Sequence, residues 1–124
     1  IALVTLDRPL GEHTGTKQMY HTDDPNDIRY EVSVTGVGYP GDPPDDFWPT
    51  MWEDTGEGGG TSFWRYPGVD SIHGFAVDVT SGQSGGPVLY NDEIISVIAW
   101  NEPEVTSYNF GPRITTSRFS GLDG

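Results

Sequence analysis

The clearest pattern is alternation. In "IRYEVSVTGVGY", Ile28, Tyr30, Val32 and Val34 fall on one face, with Arg29, Glu31 and Ser33 between them. A period of two predicts a strand buried on one side, running from Ile28 to Tyr39. "IALVTL", Ile1 to Leu6, is an apolar strand-like run, followed by a turn region with Pro9, Gly11 and Gly15. Pro40 to Asp54 opens as a Pro/Gly/Asp loop and passes into an aromatic strand, and "GEGGGTS" reads as a turn. Ser71 to Val79, "PVLY", "EIISVIAW" and "SYNFGPRIT" predict further strands. Asn91-Asp92 suits the tight hairpin turn between "PVLY" and "EIISVIAW". Only Ser117 to Leu122 suggests a short helical turn. Six or more short strands with turn signals predict an all-β fold, an antiparallel barrel or sandwich.

Composition narrows this picture. A chain of 124 residues suits one domain. Its 17 Gly, 10 Pro and many aromatics match a chain of short strands and frequent turns. The formal net charge of −13, from 19 acidic and six basic residues, argues against nucleic acid and anionic membranes as partners, because phosphate binding needs Lys and Arg. It favours solubility and cationic partners. The absence of cysteine excludes disulfides, thiolate–zinc sites and thiol catalysis. No stretch approaches the roughly 20 apolar residues of a membrane helix, and no signal peptide is visible. Asp42, Asp45 and Asp46 could ligate calcium, but a Pro/Asp loop is more often solvated, so no metal is expected.

One stretch carries candidate chemistry. "DVTSGQSGGPVLY", Asp78 to Tyr90, places a lone serine among glycines. Gly82-Gln83-Ser84-Gly85-Gly86 satisfies the pattern of the α/β-hydrolase nucleophile elbow, but that motif requires a helix after the serine. Here Pro87 and strand-like residues follow. The nucleophile loop of a trypsin-like peptidase fits better. There, two backbone N–H groups must face the carbonyl oxygen as it becomes an oxyanion, and a glycine two positions before the nucleophile turns its N–H inward without a Cβ clash. Ser84 is then the nucleophile, and the Gly82 and Ser84 amides form the oxyanion hole. The plainer reading is a Gly-rich loop with an idle serine.

Five stretches together resemble the C-terminal half of a chymotrypsin-fold serine protease, most of all the bacterial glutamyl-endopeptidase group. "IALVTLDRPLGEHTG" resembles the strand after the catalytic aspartate, with the turns that follow it. "VGYPGDPP" and "TMWED" resemble that group's Gly-Tyr-Pro-Gly-Asp turn and Thr-Met-Trp-Glu strand. "SGQSGGPV" and "SYNFGPRIT" resemble the nucleophile loop and the last pocket strand. They occur in family order.

The resemblance implies a six-stranded antiparallel β-barrel over residues 11–124, with residues 1–10 as the last strand of a first barrel and a connector. It implies a secreted, extracellular serine endopeptidase without a cofactor, acting on a peptide or protein substrate. It also implies that the catalytic His and Asp lie in a preceding segment or companion chain. His13, His21 and His73 are expected to be structural or solvent-facing rather than the base, and Asp7 follows its strand instead of preceding it. Gln83 stands where trypsins hold the aspartate that pairs with a new N-terminal Ile, so Ile1 is not expected to be an activation terminus.

The same resemblance assigns a substrate pocket to Asp78, Val79, Thr80 and Ser81, to Ala99, Trp100 and Asn101, and to the strand around Gly111. Ala99 stands where glutamyl endopeptidases place a carboxylate-binding His, and alanine offers no donor for that task. Asp78 lies at the spacing of the trypsin pocket-base aspartate. It is either a buried carboxylate favouring Lys or Arg substrates or a strand-end residue facing water. Trp100 is expected to form a pocket wall, Asn101 a strand edge pairing with substrate, and Gly111 to keep the pocket open. A non-catalytic protease-like module, or an acidic β-barrel binding a cationic ligand, remains the alternative.

Overall fold

The computed structural model describes residues 4–41, 50–61, 72–101 and 106–122. The expectations on Ile1, the Asp42/Asp45/Asp46 loop and the aromatics Phe47 and Trp48 lie outside the described residues. Seven strands are present among the described residues: β1 Val34–Gly38, β2 Trp52–Gly56, β3 Ile72–Phe75, β4 Pro87–Tyr90, β5 Glu93–Val97, β6 Trp100–Asn101 and β7 Asn109–Pro112. Two short helices, α1 Gly11–Thr14 and α2 Thr116–Leu122, flank them.

All strand pairs are antiparallel, and they form two sheets, β2-β1-β4-β5 and β3-β7-β6. Isolated bridges join the sheets, Gly58 to Phe75 on one side and Ser96 to Arg113 on the other. The sheets enclose Tyr30, Val34, Phe75, Val77, Val88, Ile95 and Ile98. The β4–β5 hairpin turns at Asn91 and Asp92, which both take positive φ (46° and 70°). That is the left-handed pair a two-residue turn demands, and short polar side chains tolerate it. Asp92 also pairs with Lys17.

Three sequence expectations are corrected. Residues 28–33 do not begin the first strand: Ile28–Tyr30 is a single 3-10 turn, and β1 starts at Val34. Asp27 stops the extended run, because its carboxylate accepts the Arg29 N–H at 3.0 Å and so caps the turn. Tyr30 is then fully buried, whereas Ile28 is 59% exposed. Secondly, residues 4–6 form no strand, and Val4 and Leu6 are exposed. No described strand pairs with them. Thirdly, "EIISVIAW" is two strands. β5 pairs with β4, then the chain crosses to β7 as β6, and at the crossing Ala99 N–H donates to the Phe110 carbonyl at 3.0 Å. Serving two sheets with one run needs an irregular corner at residues 98–99.

His73, on β3, is fully buried between these sheets. Its Nε2 donates to the Tyr30 carbonyl at 3.1 Å. A carbonyl can only accept, so Nδ1 is the bare nitrogen, and it accepts the Ser96 hydroxyl at 2.8 Å. Burial holds this imidazole down to about 4, below the ordinary 6.5; the Tyr30 bond opposes the shift and the Arg113 charge adds to it. The unfolded chain therefore takes up a proton near pH 6.5 that the folded chain refuses until about 4. The contribution of His73 to stability is expected to be full above pH 6.5 and to fall by about 3 kcal/mol as the pH drops from 6.5 to 4. Urea midpoints across that range test this, and a His73→Gln variant is expected to flatten the slope relative to the unaltered protein.

Candidate active site

The loop between β3 and β4 is built from backbone hydrogen bonds that leave two amides over. Gln83 N–H donates to the Thr80 carbonyl (3.2 Å) and Gly86 N–H to the Gln83 carbonyl (3.0 Å). Gly85 N–H donates to the Ile98 carbonyl (2.8 Å), and Ile98 N–H returns a bond to the Gly86 carbonyl (2.9 Å). This exchange pins the residues after Ser84 to the β5–β6 corner. Among the described residues, the Gly82 and Ser84 amides have no acceptor. The Ser84 hydroxyl likewise has no partner among them, and Ser84 is exposed. Two idle N–H groups flanking an exposed hydroxyl make the arrangement that can receive an oxyanion.

Gly82 takes φ +98°, and a Cβ on it would lie 2.3 Å from the Gly41 nitrogen. The nearby Gly41 N–H donates to the Ser81 carbonyl at 2.6 Å, so the β1-side turn clasps this loop. Gln83 is buried, 6% exposed, and its Oε1 accepts the Thr80 N–H at 2.6 Å. A neutral amide thus braces the loop from within.

Ser84 borders two cavities. One, of about 170 Å³, is lined by Val79, Thr80, Ser81, Ser84, Ile98, Ala99, Trp100 and Asn101. Six of the eight residues expected to bind substrate are therefore gathered beside the serine. Trp100 stacks on Phe110, with ring centres 5.7 Å apart, which ties this wall to β7. The other cavity, of about 350 Å³, lies across the serine between Tyr39, Met51 and Pro87.

The remaining two expected residues sit elsewhere. Asp78 is exposed and lines a third cavity, with its N–H donating to Asp54 Oδ2 at 2.7 Å. Gly111 is buried in β7 opposite His73, and a Cβ there would meet the Val97 carbonyl oxygen at 1.6 Å. Its bareness lets β5 and β7 approach. Of the histidines, His13 is exposed on α1. His21 stacks on Phe119 at 4.1 Å, and His73 is spent on Tyr30 and Ser96. Sequence reasoning missed Ile98, Gln83 as a brace, and the walls supplied by Tyr39 and Met51. The stretches "VGYPGDPP" and "TMWED" were the available signal.

No protein-family model matches the chain, and no curated protein matches its sequence. Solved structures do match its fold. A Glu endopeptidase solved in complex with MPD superposes with a TM-score of 0.72 at 20% identity, over 94% of this chain and 50% of that one. The Rv3671c protease in its inactive form superposes with a TM-score of 0.54 at 16% identity, over 89% of this chain and 54% of that one. A mutant of the same protease, described as from M. tuberculosis H37Rv, gives the same score and identity over 53% of its length. The fold is that of a chymotrypsin-type serine protease, and the chain spans about half the length of the solved proteases it matches. The resemblance to glutamyl endopeptidases read from the sequence is matched in structure by the Glu endopeptidase.

Proposed function

We propose that this chain is the nucleophile-bearing part of a secreted serine endopeptidase. The reading is supported above all by the two unpartnered amides, Gly82 and Ser84, beside an exposed Ser84 hydroxyl on a protease-type fold. Ser84 Oγ attacks the substrate carbonyl, its proton passes to an imidazole, and the oxyanion settles against the two amides. The amine leaves with that proton, and water then releases the acyl group from Ser84. The imidazole and its orienting carboxylate come from a preceding segment or companion chain. The cavity of about 170 Å³ receives the side chain on the acyl side of the scissile bond. Its described walls offer hydroxyls, an amide and an indole but no charge, so an uncharged side chain is favoured over Glu, Lys or Arg.

A fluorophosphonate probe tests this. In the protein assembled with its His- and Asp-bearing segment, the probe is expected to label Ser84 covalently, as mapped by peptide mass spectrometry. An unlabelled Ser84 in that assembly would leave the second reading, a protease-like module without catalysis. That reading draws on the placement of all three histidines away from the serine loop.

A further inference from the structure

The Gly82 amide belongs to the Ser81–Gly82 peptide, and that peptide is the middle of a tight turn. Gln83 N–H donates to the Thr80 carbonyl at 3.2 Å, which closes a four-residue turn from Thr80 to Gln83. Gly82, at its third position, takes φ +98°, while Ser81 keeps a negative φ. This is a type II turn. Glycine at that position also accepts type I, in which the angles on either side of the central peptide differ by about 150–170° and the peptide is turned over. In a trans peptide the C=O and N–H point in opposite directions. One orientation therefore offers the Gly82 N–H to an oxyanion beside Ser84. The other offers the Ser81 carbonyl oxygen, which repels it.

We propose that Gly41 is a positioning residue for the oxyanion hole: its N–H holds the Ser81 carbonyl and so keeps the Gly82 N–H on the side of Ser84. This role rests on the peptidase reading and adds the group that keeps the hole assembled. The Gly41 N–H, in the turn after β1, donates to the Ser81 carbonyl at 2.6 Å. It thus grips the carbonyl of the one peptide in the turn whose own N–H has no acceptor among the described residues. Turning that peptide over would break the bond. A second contact stiffens the turn. Gln83 Oε1 accepts the Thr80 N–H at 2.6 Å, so Thr80 and Gln83 exchange two bonds across it. Gly38, at the end of β1, lies flush against the buried Gln83, and a Cβ on it would come within 3.1 Å of the Gln83 Cβ. β1 and the turn that follows it therefore hold this loop at two points, and neither contact involves a charged group.

The bond itself is read by NMR, as the scalar coupling between the Gly41 amide nitrogen and the Ser81 carbonyl carbon in the protein assembled with its His- and Asp-bearing segment. Its role is read with Gly41→glycolic acid, which replaces the Gly41 N–H by an ester oxygen and keeps every side chain. In that assembly kcat is expected to fall roughly tenfold to a hundredfold, with KM within about twofold, because only the transition state puts charge in the hole. A peptide aldehyde should lose affinity by the same factor. Ser84 Oγ adds to its carbonyl carbon, the hydroxyl proton passes to the imidazole, and the resulting oxyanion sits in the same hole. Gln83→Met should act in the same direction, and Gln83→Glu, which keeps an acceptor for the Thr80 N–H, should restore most of the rate. A merely structural contact would lower the melting temperature without this parallel loss of kcat and aldehyde affinity. Unchanged kcat in the ester variant, or a missing coupling in a fully active unaltered assembly, would overturn the proposal. Ser84 left unlabelled by the fluorophosphonate in the unaltered assembly would remove the peptidase reading and this role with it. Labelling there, with an ester variant that keeps its full rate, would remove the role of Gly41 alone.

Discussion

Ser84→Ala in the assembled protein is expected to lower kcat by roughly a millionfold, with KM and thermal stability nearly unchanged. The size follows from the chemistry. Without Oγ there is no acyl intermediate, and what survives is the stabilisation that the two amides and the pocket lend to direct water attack, on the order of 10³–10⁴ over the uncatalysed rate. Stability should hold because Ser84 is exposed and its hydroxyl has no partner among the described residues. Steady-state kinetics on a chromogenic peptide, alongside a melting curve, checks both. A Ser84→Ala protein that keeps more than a hundredth of the rate would move the nucleophile elsewhere.

Gly82→Ala is the second large effect, and it should strike rate and stability together. An L-residue at φ +98° carries backbone strain of about 1–3 kcal/mol. The new methyl would also sit 2.3 Å from the Gly41 nitrogen, so the loop must part from the turn that clasps it through the Gly41 N–H to Ser81 carbonyl bond. The Gly82 amide is expected to move with the loop, and on the proposed reading, in which it is an oxyanion donor, its loss should cost roughly 10²–10³ in kcat. Gly85→Ala separates the two causes. Gly85 has nearly the same φ, +88°, but a methyl there meets nothing within 4 Å. It should destabilise by about 1 kcal/mol and leave most of the rate. If both variants lose activity equally, strain alone explains the effect and the Gly82 amide is not an oxyanion donor.

How much of this was legible in the chain differs by element. Asn91-Asp92 announced its hairpin because the positive φ of that turn is a property of two residues and needs no distant partner. The strand Val34–Gly38 and the pair "PVLY" and "EIISV" were readable from apolar runs broken by turn residues. By contrast, Ile28 to Val32 has as good an alternation as any strand, yet Asp27 caps a turn there and Tyr30 enters the core. Periodicity cannot show whether a neighbouring strand exists to pair with. The same gap explains Val4 and Leu6: an apolar run states a demand for burial, not the means of meeting it.

The site divides along the same line. The glycines around Ser84, the uncharged Gln83 beside it and the Ala99-Trp100-Asn101 edge stood in the sequence, because a loop that crowds backbone around one hydroxyl must be written in small residues. Which side of the loop each neighbour faces was decided only by folding. Asp78 and Val79 are adjacent, but one lines the acidic cavity with Asp54 and the other lines the cavity beside Ser84. His73 could have been a base by composition, and the meeting of β3 with Ser96 and the Tyr30 carbonyl made it a buried neutral brace. Local residue types settle the torsion angles of the tight turns, as at Asn91-Asp92. Partners far apart in the chain settle which wall, which cavity and which protonation state each side chain receives, because burial and hydrogen bonding exist only once those partners have met.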